Sequence, residues 1–234
     1  MVGTGRDEER GGRHIEEPAL TSLEAIVHPE HTALVVVDIQ NDFCHPQGYY
    51  GRHTDVSLVE AMLPRLRAFL EQSRKTAVRV AFTQQLYDQE HISGPLVDRW
   101  ARLGVTERYL SPGTWGAALC DFLSPRPQEA VFPKYRYSTF HTPDFETWLT
   151  RHDIRTLVVT GVTTNVCVES TARDAFMRDY YVVLPEDCVA AYTEREHQTA
   201  LDNVRQFFGR VCTANELVHA WGRNPYQRHE LAAR

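Results

Sequence analysis

The sequence predicts an α/β protein with a mostly parallel sheet. Three observations carry this. Short apolar runs rich in β-branched residues recur along the chain: ALVVV at Ala33–Val37, LVV at Leu157–Val159 and YVVL at Tyr181–Leu184. They are continuous rather than alternating, as strands covered on both faces are. Stretches of helical periodicity separate them, and strands alternating with helices build a parallel sheet. No internal repeat, low-complexity tract or linker interrupts the pattern. Residues 19–234 therefore read as a single domain preceded by a flexible arm, residues 1–18, rich in Gly, Arg and Glu.

Ala33–Val37 is the first strand and ends at Asp38, within DIQNDF. The run Cys44–Asp55 carries Pro, Gly, Tyr49, Tyr50 and His53 and reads as a loop. Leu58–Gln72 has helical periodicity, with Pro64 tolerable only near its first turn. Ala77–Thr83 is the second strand, with Gln84, Gln85 and Tyr87 at its carboxyl end. Asp88–Pro112 reads as irregular; at about 25 residues it is long for a connection and suggests a lid or an oligomer contact. Trp115–Phe122 reads as a short helix and Glu129–Phe132 as the third strand, running into Pro133-Lys134. Thr142-Pro143 starts a helix to about Arg151, as N-cap followed by Pro at the first helical position.

Thr156–Arg173 (TLVVTGVTTNVCVESTAR) is the fourth strand followed by a helix. Gly161 ends the strand pattern, and Thr163, Thr164 and Asn165 can cap the helix that Val168, Ala172, Ala175 and Phe176 continue on one side. Tyr181–Leu184 is the fifth strand. Thr193 with Glu196, and Thr213 with Glu216, match capping boxes for two further helices, with Arg210–Cys212 a short sixth strand between them. The last dozen residues are polar and read as a frayed end.

Hydrophobic residues make up 42% of the 234 and charged residues 24%, within the ordinary range for a globular chain. The net charge of −6 argues against nucleic acid and anionic membrane surfaces as partners. No apolar run approaches the roughly 18 residues of a membrane span, and the amino-terminal stretch has no apolar core of a secretory signal. Cys44, Cys120, Cys167, Cys188 and Cys212 are scattered and without CxxC spacing, which fits a reducing, cytoplasmic setting rather than a disulfide framework or a zinc site.

Three residues carry the chemical signal. Asp38 follows the first strand directly, and in an open parallel sheet ligands bind at the carboxyl ends of strands. Asp42, close by, reads as structural. Lys134 emerges from the third strand in KYRYSTF, between aromatic residues that can desolvate it. Cys167 falls at the start of a helix, where free N–H groups and the helix dipole favour thiolate. Taken alone, Cys167 fits a nucleophile and a packed thiol equally well. Taken together, the three supply a nucleophile, a base for its proton and a cation to hold both. Backbone N–H groups at the turn before the helix can receive a developing oxyanion. The reaction so indicated is acyl transfer through a thioester, hydrolysing the C–N bond of an amide or urea-like compound and releasing ammonia. The competing reading is a catalytically silent α/β binding or scaffold protein.

ALVVVDIQNDF, PKYRYSTF and TGVTTNVCVESTARDA, in that order, resemble the isochorismatase-like cysteine hydrolases, which include nicotinamidases, N-carbamoylsarcosine amidase, biuret hydrolase and ureidoacrylate amidohydrolases. The resemblance runs from about Ala33 to Trp221. It implies a three-layer α/β/α, Rossmann-type fold with a six-stranded, mostly parallel sheet. It implies the triad Asp38, Lys134 and Cys167, a non-proline cis peptide at Val162–Thr163, and an oxyanion hole from the N–H groups of Thr163 and Cys167. It also implies a homo-oligomer, dimer or tetramer. PKYRYSTF, NVCVESTARDA and NVRQFFG are most similar to the ureidoacrylate amidohydrolases, whose substrates carry a carbamoyl group and a carboxylate. Arg136 then either binds that carboxylate or packs structurally between Tyr135 and Tyr137. Phe43, Gln84, Tyr87, Trp115, Tyr135, Tyr137 and Thr164 are the other expected substrate-binding residues. Nicotinamidases of this family bind a metal; here Tyr87 stands where one of their histidines falls, and His53, Asp55 and His91 lack ligand spacing. No metal and no cofactor is expected, and nicotinamide and isochorismate are disfavoured as substrates.

Overall fold

A computed structural model describes residues 19–222; the expected arm at 1–18 and the frayed end lie outside the described residues. Seven strands form one sheet: β1 Thr32–Val37, β2 Arg79–Gln85, β3 Ala130–Lys134, β4 Thr156–Val162, β5 Tyr181–Pro185, β6 Val189–Ala190 and β7 Arg210–Cys212. Their order is β3-β2-β1-β4-β5-β7, with the two-residue β6 paired to the end of β4, and every pairing is parallel. The six expected strands are all present and β6 is additional. The order reverses between β1 and β4, and that switch point is where such a sheet opens a crevice at its carboxyl edge.

All six residues of β1 are buried. Leu34 and Val36 face one core, with Leu66, Phe69 and Leu70 of the helix Ser57–Ser73 and Trp221 of the helix Ala214–Gly222. Ala33, Val35 and Val37 face the other, with Phe145 and Leu149 of the helix Pro143–Arg151 and Ala172 and Ala175 of the helix Glu169–Phe176. A strand sandwiched this way has no polar face, which is why its sequence is a continuous apolar run.

Several element readings need correction. Asp88–Pro112 is not all irregular: Gly94–Arg102 is a helix with Pro95 in its first turn, and it buries no residue fully, though Leu96 and Trp100, one turn apart, pack against the core. Trp115–Phe122 is not a helix. Its backbone serves the segment after β1 instead: Asn41 N donates to Ala118 O at 3.0 Å, Asp42 N to Gly116 O at 2.8 Å and Cys120 N to Ile39 O at 2.9 Å, leaving only a short 3₁₀ turn at Asp121–Leu123. Pro64 stands inside Ser57–Ser73 rather than in its first turn. Thr142 precedes its helix without capping it, because its hydroxyl donates to Pro133 O at 3.1 Å.

Gly161 does not end β4 but continues it. Its φ is +99°, and a Cβ there would stand 2.1 Å from Val37 O on the paired strand. Only glycine allows that conformation and that approach together.

Candidate active site

Asp38, Lys134 and Cys167 converge at the carboxyl edge of the sheet, from the ends of β1, β3 and the segment after β4. Asp38 and Lys134 are fully buried and Cys167 is 4% exposed. Lys134 Nζ lies 2.7 Å from Asp38 Oδ2 and 3.4 Å from Cys167 Sγ. The ammonium also donates to Gln85 Oε1 at 2.8 Å and to Arg136 O at 3.2 Å. Four acceptors thus surround three N–H bonds, so the ammonium is fixed in place while its contact with sulfur, the longest, is the easiest to exchange.

The backbone delivers Asp38 by a sharp bend. Its φ is +51°, the left-handed region that Asp tolerates better than most residues. Asp38 N donates to Thr83 Oγ1 at 3.2 Å, and Thr83 Oγ1 donates back to Asp38 Oδ1 at 2.6 Å. This anchors one carboxylate oxygen and leaves the other for Lys134 and Cys167. Thr83 and Gln85 are two apart on β2 and share a face; that spacing is the signal by which sequence reading can find them as supports of Asp38 and Lys134. Gln40, fully buried, accepts from Gln85 N at 2.8 Å and donates to Gln85 O and Ala117 O, tying the end of β1 to β2. Asp42 accepts from Tyr49 N at 3.0 Å and Leu110 N at 2.7 Å, the structural role expected of it.

Cys167 sits in a π-turn, Thr164–Val168, ahead of the helix Glu169–Phe176. The Val162–Thr163 peptide is cis. The Thr163 carbonyl accepts from Val166 and Val168 at 3.1 and 3.3 Å, skipping the Cys167 N–H between them. Thr163 and Thr164 make no side-chain cap for the turn, and the Thr164 hydroxyl is engaged by His197 Nδ1 at 3.0 Å.

The expectation that this position favours thiolate is overruled. Burial pushes the Cys167 thiol well up, Lys134 pulls it down, and Asp38 pushes it up again, with the rise prevailing. Lys134 shows the converse balance: burial lowers it, but the nearby Asp38 and Cys167 outweigh burial and raise it. Opposed influences thus meet on the thiol: burial and Asp38 hold the proton on sulfur, and Lys134 draws it off.

The other expected residues divide. Burial raises the hydroxyls of Tyr87, Tyr137 and Tyr192, the last missed by sequence reading, and Cys167 adds a smaller push in the same direction. Phe43 is buried and stacks on Tyr50 at 5.4 Å; Gln84 donates to Ala117 O at 2.8 Å. Trp115 is 53% exposed and meets His45 edge-on. Tyr135 stacks on His91 at 3.6 Å, and the exposed Arg136 donates to His91 O and Tyr135 O, so its contacts are structural. A surface cavity of about 720 Å³, lined by Cys44, Leu63, Pro64 and Phe122 among others, contains none of the three converging residues. One group among the described residues could hold a metal ion, His28, Glu30 and His31 with ligand atoms within 4.8 Å of one another. It lies before β1, at the opposite edge of the sheet from Cys167. No described helix is long and apolar enough to cross a membrane.

The parallel sheet, its switch point and a buried polar cluster at the carboxyl edge define an α/β enzyme of the doubly wound kind. Residues 32–216 match the Isochorismatase domain model, and the chain belongs to that family of hydrolases. The ureidoacrylate amidohydrolase RutB of Azorhizobium caulinodans is 35% identical over 210 residues, 84% of this chain and 92% of the relative. Among solved structures, a cysteine hydrolase from Pseudomonas syringae pv. phaseolicola superposes with a TM-score of 0.74 at 25% identity, covering 89% of this chain and 99% of that one. N-carbamoylsarcosine amidase from Thermoplasma acidophilum gives a TM-score of 0.63 at 27% identity, covering 79% and 96%.

Proposed function

We propose that this protein is a cysteine-dependent amidohydrolase that cleaves the C–N bond of a small ureido or amide compound, with a ureidoacrylate-like substrate the best fit, and releases ammonia. The observation that carries the reading is the buried contact set of Lys134 Nζ with Asp38 Oδ2 at 2.7 Å and Cys167 Sγ at 3.4 Å. The similarity to ureidoacrylate amidohydrolases supports the substrate class.

The mechanism follows from a thiol that rests protonated. A neutral thiol is a poor nucleophile, so attack requires proton transfer to Asp38 as Sγ adds to the carbonyl carbon. Asp38 acts as general base through Oδ2, while Lys134 stabilises the sulfur as charge develops on it. The N–H groups of Thr163 and Cys167 receive the oxyanion. Asp38 then returns the proton to the leaving nitrogen as the C–N bond breaks, and ammonia departs. What remains is an S-acyl enzyme; a ureido compound R–NH–CO–NH2 that has lost ammonia leaves the N-substituted S-carbamoyl adduct R–NH–CO–S on Cys167. Water, deprotonated by Asp38, attacks it and restores the thiol. Burial strengthens each electrostatic contribution, because little water remains to screen it.

The test is ammonia release from ureidoacrylate, N-carbamoyl amino acids, biuret and simple amides, with the wild type and Cys167→Ala side by side. The wild type is expected to hydrolyse at least one ureido or amide compound and the variant none. Full activity in Cys167→Ala would refute the mechanism; silence of the wild type across the panel would refute the substrate class.

A further inference from the structure

The turn that leads into β1 brings two imidazoles and a carboxylate together. One ligand atom each of His28, Glu30 and His31 lies within 4.8 Å of the other two. The rings of His28 and His31 stand 5.5 Å apart, tilted by 37°. The group sits at the amino edge of the sheet, and the proposed reaction uses none of it.

Three features suit it to a metal ion. The first is a backbone already fixed. Pro29 opens the 3₁₀ turn Pro29–His31. His31 N donates to His28 O at 3.0 Å, Thr32 Oγ1 donates to the same carbonyl at 2.8 Å, and Arg155 N donates to His31 O at 2.9 Å. The turn carrying all three ligands is thus held against the starts of β1 and β4, so little ordering is left to oppose binding.

The second is the tautomer of His31. Its Nδ1 meets Asp153 O at 3.0 Å and Asp153 Oδ2 at 3.2 Å. Both partners are acceptors, so Nδ1 carries the proton and Nε2 carries the lone pair that a metal takes. A carbonyl or carboxylate behind the ring in this way orients a metal-binding histidine and raises its basicity. Arg155 Nη2 meets the same Asp153 oxygen at 3.5 Å, so Asp153 supports the ring while Glu30 supplies negative charge to the ion.

The third is reach. Donors around a tetrahedral ion bound at about 2.0–2.2 Å stand about 3.3–3.6 Å from one another. Closing the set takes movements of about 1 Å, which the exposed Glu30 side chain makes by rotation.

We propose that His28, Glu30 and His31 form a binding site for a divalent transition-metal ion of the zinc type, separate from the active site. Two imidazoles and one carboxylate favour such ions over magnesium and calcium, which take shells of oxygen. Water completes the coordination that three protein ligands leave open. The ion ties down the turn before β1 and, through His31 and Asp153, the turn before β4; the two strands pair from Thr32 and Thr156 onward. The proposal stands independently of the amidohydrolase reading.

The experiment titrates zinc chloride calorimetrically into full-length, untagged wild type, Glu30→Gln and His31→Gln, and follows cobalt(II) chloride by visible absorption. The wild type is expected to take up one equivalent of zinc with a Kd below about 100 μM. Each variant should bind at least about tenfold more weakly, as loss of a ligand costs no less than loss of its supporting partner. The cobalt spectrum should lack the intense charge-transfer band of thiolate ligation, and a tenfold excess of magnesium or calcium should leave the zinc titration unchanged. Glu30 is exposed, so Glu30→Gln decides the matter should His31→Gln, which loses its contact with Asp153, fail to fold. No uptake by the wild type, equal affinity in wild type and Glu30→Gln, a thiolate band, or displacement by magnesium or calcium overturns the proposal.

Discussion

Replacing Lys134 with methionine tests how the buried pair is balanced. Lys134 and Asp38 are both fully buried, with Nζ and Oδ2 2.7 Å apart. Methionine keeps most of the side-chain volume and removes the charge, leaving Asp38 as an isolated carboxylate away from water. Removing one partner of a buried pair costs about 3–5 kcal/mol, a large part of a typical stability of about 5–15 kcal/mol. The double variant Asp38→Asn/Lys134→Met leaves no charge to bury. It is expected to recover about 2 kcal/mol relative to the sum of the single changes. Urea unfolding at pH 7 gives the four free energies, and equal m-values establish that the same transition is being compared. Repeating the series at pH 5 sharpens it: the cost in Lys134→Met should shrink, since a protonated carboxyl carries no charge to desolvate. Hydrolysis should be lost in all three variants. A single variant within about 1 kcal/mol of wild type, or strictly additive changes in the double, would refute the view that this pair is bound by desolvation as well as by contact.

Gly161→Ala should cost more than about 1 kcal/mol and reduce soluble yield, because Cβ would meet Val37 O at 2.1 Å with φ at +99°; unchanged thermal unfolding would contradict it. Alkaline stability should follow the buried thiols. Burial raises Cys188 and Cys212, the latter to about 12, above an ordinary value of 9.0. The folded chain holds these protons more tightly than the unfolded chain. Their contribution is complete below about pH 9 and is lost as pH rises toward the folded values, by up to about 1.4 kcal/mol per pH unit for each thiol. Thermal unfolding of wild type and Cys188→Ala between pH 8 and 11 should show a shallower decline in the variant; parallel slopes would exclude Cys188 as a source.

The strands that carry the three converging residues were legible because a parallel sheet buries both faces and writes its strands as apolar runs. Asp38 and Lys134 were visible as polar residues ending such runs, Lys134 being the last residue of β3. What hid was anything set by tertiary partners. The helix Gly94–Arg102 opens with Ser-Gly-Pro, which reads as a turn, and its apolar side is only the pair Leu96 and Trp100. Trp115–Phe122 looks helical by composition, yet its hydrogen bonds go to residues 39–42. Gly161 looks like a breaker because the close approach of Val37 is invisible in one strand's sequence. The ionisation of Cys167 was misjudged for the same reason. The helix start favours thiolate locally, while burial, which dominates, depends on everything packed around it.

In the proposed reaction Cys167 becomes covalently acylated as the C–N bond breaks. The most direct test is rapid acid quench of the enzyme during turnover of a substrate from the ureido or amide panel, followed by peptide mass spectrometry. The expected result is an acyl or carbamoyl mass on the peptide containing Cys167, absent without substrate and absent in Cys167→Ala, which also releases no ammonia. Ammonia release at the wild-type rate by Cys167→Ala, or an adduct confined to another residue, would contradict it.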